Sequence, residues 1–228
     1  MLEPQDDAVP AGPVPGDAEC KSRLSSSKWL QVGLGFVLIE LSLWWPSDHF
    51  RGVWMLAAAA FIVYFSIRSH YTTKQMGLSV PSRRVALPIV AAGFVLAVMI
   101  FSAAHYAGES QPRAWMLRYV ALPYAIWSVI QEFILQSFFY IRLEDLAGSR
   151  IAVYIAALLF AMAHLPSPVL TIATLAGGII FGELFRRFRN IYPVGIIHAL
   201  LGLAIAASLP DSLLHHMRVG ISYLRFHP

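Results

Sequence analysis

Charge is scarce in this chain and cysteine nearly absent. Only 13% of its 228 residues are Asp, Glu, Lys or Arg, 57% are hydrophobic and the mean hydropathy is +0.62, which excludes the balance of a soluble domain. The single cysteine, Cys20, excludes an intrachain disulfide and any thiolate metal site. Apolar and polar residues do not alternate in short segments, which excludes an even-stranded membrane barrel. The pI is near 9.4, but the basic residues form no patch interleaved with aromatics, so nucleic acid is excluded as a partner. Residues 1–28 lack a basic start followed by an apolar core, so no cleaved signal peptide is expected.

What the chain does have is long apolar runs approaching the roughly 20 residues needed to cross a hydrocarbon core of about 30 Å. Seven candidates stand out: Trp29 to Trp45, Val53 to Ile67, Val85 to Ala107, Trp115 to Ile141, Ile151 to His164, Val169 to Phe185 and Ile191 to Leu209. The expected fold is all-α, a polytopic transmembrane helical bundle of seven or eight spanning helices. Residues 1–28, rich in Pro, Gly, Ala and Ser, are expected to be a disordered cytoplasmic tail. Residues 29–209 form the bundle. Residues 210–228 mix Leu and aromatics with His and Arg, which fits an interfacial or weakly hydrophobic C-terminal helix.

Most Lys and Arg residues fall on the side of the N-terminus: Lys21, Arg23 and Lys28, then Arg68, Lys74, Arg83 and Arg84, then Arg142 and Arg150, then Arg186, Arg187 and Arg189. The positive-inside rule places that side in the cytoplasm.

An ionisable group at the bilayer centre costs about 3 kcal/mol even on lenient scales, so each one requires a reason. Glu40, Glu132, His164 and His198 are such groups. Glu183 precedes Arg186 and Arg187 by three and four residues, the spacing of a helix-end salt bridge. Glu40 has no motif around it and reads as structural or cavity-lining; His215 and His216 read as an interfacial pair.

At about 1.5 Å per residue, Glu132 lies about 15 Å from Arg142, His198 about 12 Å from Asn190 and His164 about 21 Å from Arg150. Three helices thus bring a carboxylate and two imidazoles to similar depth, the mark of a buried polar cavity. Two imidazoles and one carboxylate are also the three-ligand set of a catalytic zinc site, with the fourth position open to water. Without metal, a carboxylate and an imidazole can share the water and remove its proton. Simpler readings stand beside these: His164 as an interfacial residue at a helix end, His198 in one interhelical hydrogen bond, Glu132 as its structural partner.

The motifs "QEFILQ", "FAMAH" and "NIYPVGIIHALLG", in this order on the fourth, fifth and seventh runs, resemble the CAAX protease and bacteriocin-processing family of intramembrane proteases. The resemblance runs from about Pro112 to Ala207. Its pattern is a Glu-Glu pair followed by Arg, then Phe and His, then His and Asn. In this chain it implies Glu132, His164 and His198 as catalytic residues, with zinc as a possible cofactor bound by the same three, and Phe160 beside them. Gln131 stands where the family has its first glutamate, Gln136 where it has Arg and Gly202 where it has Asn. A glutamine cannot take a proton from water, so the role passes to Glu132, or the chain is a catalytically silent relative acting as a membrane binding or scaffolding protein. The implied substrate is a membrane-associated peptide or protein, and the implied location a bacterial cell membrane.

Overall fold

The computed structural model describes residues 15–108 and 119–226. Among them every regular element is helical. Helices α1 (Pro15–Trp44), α2 (Asp48–Ile67) and α3 (Arg83–Tyr106) cover the first three apolar runs. The fourth run becomes α4 (Ala121–Glu132), a π-helical segment (Phe133–Tyr140) and α5 (Ile141–Ala147). Helices α6 (Ser149–Met162), α7 (Pro168–Phe188) and α8 (Ile191–Ser208) match the last three.

Two differences from expectation have physical reasons. Helix α1 starts at Pro15, so it reaches back into the segment expected to be disordered; Pro is tolerated at a first helical position, where its missing N–H is no loss. Residues 1–14, which include the rest of that tail, lie outside the described residues. The C-terminal segment divides into α9 (Asp211–Leu214), a 3₁₀ turn (His215–Met217) and α10 (Ile221–Leu224), each far short of the length of a crossing. Left-handed backbone at His215, His216 and Met217 interrupts it. His215 stacks on Tyr223 at 4.0 Å and His216 lies 2.9 Å from Asp211.

Helix limits follow local chemistry. The Ser167 hydroxyl accepts from Leu170 N–H and Pro168 takes the first turn of α7, a favourable N-terminal pairing. Arg186 and Arg187 occupy the last turn of α7, where cations complement the helix dipole. The expected salt bridge is present there: Arg186 and Arg187 both donate to Glu183, at 2.7 and 2.6 Å. Arg189 then turns left-handed, and Asn190 caps α8 by accepting from Tyr192 N–H.

Among the described residues, α2, α3, α7 and α8 are long and apolar enough to cross a membrane. The most apolar stretch of α8 is 56% buried, against 11% in α3 and 17% in α2, which makes α8 the central helix and the natural place for a protected site. Close approach is achieved through small residues, as expected where lipid removes the hydrophobic drive between helices. Gly178 and Gly182 of α7 lie on Ala157 and Val153 of α6, and Gly195 of α8 lies on Val129 of α4.

Contacts at its N-terminal end fix α8 against α5. Arg189 pairs with Glu144 and lies over the rings of Tyr140 and Phe185 at 5.4 and 5.5 Å. Asn190 donates to Ser79 O at 2.7 Å, and Ile191 N–H to Gly77 O. These contacts set the height of everything above them on α8, His198 included.

The π-helical segment is buried on nearly all sides: Leu135, Gln136, Ser137, Phe138, Phe139 and Tyr140 are all in the core. Its altered winding is held from outside. Ser137 donates to Met76 O at 2.6 Å. Arg142, 1% exposed, donates to Phe138 O, to Phe65 O at the end of α2 and to Gln31 Oε1 on α1. Its guanidinium also lies 4.0 Å from the Phe138 ring centre, a cation–π contact.

Candidate active site

Glu132 is the last residue of α4, where the winding changes to π. Such changes in helical winding are frequent at functional sites. Helical side chains lean towards the N-terminus of their helix. Because Val129 faces Gly195 and Tyr124 faces Gly202, α4 and α8 run antiparallel, and the side chains of Glu132 and His198 lean towards each other. They meet: His198 Nδ1 lies 2.9 Å from Glu132 Oε1. The other carboxylate oxygen accepts from Gln136 Nε2 at 3.1 Å. Gln136 Oε1 is buried and has no hydrogen-bond partner among the described residues. Gln131 is half-buried and, turned about 100° around the helix, is not among the partners of Glu132.

His164 lies in the turn after α6. Its Nδ1 is 2.7 Å from Phe160 O; a carbonyl only accepts, so Nδ1 carries the hydrogen and Nε2 is left with a lone pair. The same argument applies to His198, whose Nδ1 faces a carboxylate. Phe160 packs edge-on against both imidazoles, its ring centre 4.7 Å from that of His164 and 5.7 Å from that of His198. Phe181 of α7 stacks on His198 at 5.4 Å.

Of the sequence candidates, then, Glu132, Gln136 and His198 are in direct contact, and Phe160 links them to His164. Glu40 Oε1 is buried without a hydrogen-bond partner among the described residues. Among the described residues no three His, Cys, Asp or Glu side chains are grouped closely enough to hold a metal ion. Glu132 is hydrogen-bonded to His198 Nδ1 and Gln136 Nε2 and is not grouped with the two Nε2 lone pairs. As arranged, the described side chains do not form a three-ligand zinc centre.

Glu132 is 0% exposed, whereas the His198 side chain retains 9%. The carboxylate accepts from Nδ1 and so fixes the tautomer and orientation of the His198 imidazole.

Sequence reasoning missed Tyr124, Ser128 and Phe181. A signal existed for the first two: Tyr124, Ser128 and Glu132 recur every four residues and so share one face. Ser128 is fully buried, with its hydroxyl donating to Tyr124 O at 2.9 Å.

Residues 113–204 match the Rce1-like family, described as Type II CAAX prenyl endopeptidase Rce1-like. The match covers the helices that carry the three motifs and bears out the resemblance to the CAAX proteases. The family is one of proteases, and the apolar helices make this chain an integral membrane protein. Comparison with curated proteins and with solved structures gave no match.

Proposed function

Taking residues 113–204 as an Rce1-like region, we propose that the chain is an intramembrane endopeptidase of the CAAX protease type, acting on a membrane-associated peptide or protein. The bundle crosses seven times, with the N-terminus in the cytoplasm of a bacterial cell. The observation that carries the reading is the buried Glu132–His198 pair, 2.9 Å apart, with Phe160 packed edge-on against both His198 and the His164 imidazole.

Water enters between the two imidazoles. His198 Nε2 takes one of its protons as the oxygen attacks the scissile carbonyl carbon, and the C=O electron pair moves onto oxygen. His164 Nε2 accepts the water's other hydrogen and orients the attack. Glu132 stabilises the imidazolium formed at His198. When the tetrahedral species collapses, the C–N bond breaks and the imidazolium returns its proton to the leaving amine nitrogen. The apolar walls of Phe160 and Phe181 keep this exchange out of bulk water, where the ion pair gains strength from the low dielectric.

Gln131 favours a second reading, a catalytically silent relative that binds another membrane protein. The test is cleavage of a library of membrane-tethered peptides by the full chain in lipid vesicles. Cleavage by the natural chain that disappears in a folded His198→Ala variant supports the protease; equal product from the natural chain and that variant overturns it.

A further inference from the structure

Gly202 follows His198 by one helical turn and lies on the same face of α8. A Cβ at that position would overlap the phenol oxygen of Tyr124 and come within 2.8 Å of its ring carbons Cε1 and Cζ. The glycine is therefore a seat for the Tyr124 side chain, and it places the hydroxyl against α8 where a side chain of residue 202 would otherwise stand. On the opposite helix, Tyr124, Ser128 and Glu132 share the face turned towards α8. Along this seam Glu132 meets His198, and Tyr124, two turns earlier on α4, reaches Gly202, one turn later on α8.

We infer that Tyr124 is a further catalytic residue of this site, its hydroxyl donating a hydrogen bond to the oxyanion of the tetrahedral intermediate. The inference rests on the protease reading above. Negative charge develops on the carbonyl oxygen one bond from the carbon attacked beside His198, and a donor already in place gains most where water is excluded. The phenol is the neutral donor that this seam supplies one turn from His198: Ser128 spends its hydrogen on Tyr124 O, and Gly202 has no side chain. A hydroxyl rotates to meet its acceptor at little cost, and the ring is braced by the backbone of α8, so the donor is held before substrate arrives. The order of events is unchanged: the oxyanion forms as water attacks, accepts from Tyr124 O–H without taking its proton, and is released when the C–N bond breaks.

The test uses the full chain in vesicles with the same tethered peptide library, comparing kcat and KM for five variants whose folding is checked by circular dichroism. Tyr124→Phe keeps the ring and loses the donor; kcat is expected to fall about 100-fold with KM little changed. Gly202→Ala displaces the ring and is expected to lower kcat comparably. Tyr124→Ala with Gly202→Asn exchanges the phenol for an amide donor on α8 and is expected to recover activity at least about tenfold over Tyr124→Ala alone. His198→Ala without cleavage, alongside Tyr124→Phe with full kcat, overturns the role of Tyr124 and leaves the protease reading standing. Cleavage unaffected in His198→Ala, or none by the natural chain, overturns both.

Discussion

Glu132 and His198 are 66 residues apart in sequence and 2.9 Å apart in space, and the pair ties the end of α4 to the middle of α8. A carboxylate with no exposed surface is costly unless each oxygen has a donor; here His198 and Gln136 provide them.

The first prediction concerns this pair. In Glu132→Gln an amide oxygen still accepts from His198 Nδ1–H, but no charge remains to stabilise the imidazolium. The cleavage rate is expected to fall on the order of 10³- to 10⁴-fold with little change in thermal unfolding. Glu132→Ala strands both His198 and Gln136 without an acceptor and is expected to cost about 2 kcal/mol in stability as well. Thermal unfolding in vesicles beside a cleavage assay separates the two effects; equal activity in Glu132→Gln and the natural chain would remove the carboxylate from the chemistry.

Gln131→Glu probes which face of α4 works. With Glu132 already paired to His198 and Gln131 turned away from it, a second carboxylate is expected to alter the rate less than about tenfold. A gain of about 100-fold or more would show that the base belongs at position 131 and that the natural chain has lost it.

Arg142 holds the π-helical segment from below. It donates to two main-chain carbonyls and to Gln31, so Arg142→Met leaves one buried and two partly buried acceptors unmatched. A loss of about 3 kcal/mol or more is expected. Lysine cannot fork to three acceptors in one plane, and Arg142→Lys is expected to recover little of it. Denaturant titration of both variants gives the answer; a near-neutral Arg142→Met would mean that the carbonyls are satisfied in other ways.

The small-residue seam between α6 and α7 supplies a paired test. At Gly178 a Cβ would lie 3.0 Å from the Ala157 backbone, whereas at Gly33 nothing lies within 4 Å. Gly178→Ala is expected to destabilise by about 1–3 kcal/mol, and Gly33→Ala to be neutral or stabilising by up to about 1 kcal/mol. Equal effects would mean that the two helices separate easily enough to admit a methyl group.

Much of this was legible from residue order alone. Apolar runs located the helices, and helical rise placed Glu132 and His198 at compatible depths. The lateral arrangement was not legible, because depth along a helix says nothing about which neighbours it meets. That His198, and not His164, touches Glu132 depends on α8 packing against α4 through Gly195 and Gly202. The π-helical winding after Glu132 has no marker either: Phe133–Tyr140 contains neither Gly nor Pro, and the winding is maintained by distant partners such as Met76 and Phe65.

The last prediction tests the metal. Glu132 is hydrogen-bonded to His198 and Gln136 and is not grouped with the two Nε2 lone pairs, so as arranged the ligand set expected of zinc from the sequence is reduced to two imidazole lone pairs. Two neutral ligands hold zinc far more weakly than the three or four that protein sites use. Metal content measured by mass spectrometry on protein prepared without chelator is therefore expected to be well below one ion per chain, and cleavage to survive a strong zinc chelator. One zinc per chain, lost in a folded His164→Ala, His198→Ala variant, would require Glu132 to leave His198 and turn to the metal. In that case the pair described here would be a resting arrangement, and the route from water to carbonyl would have to be drawn again through three ligands.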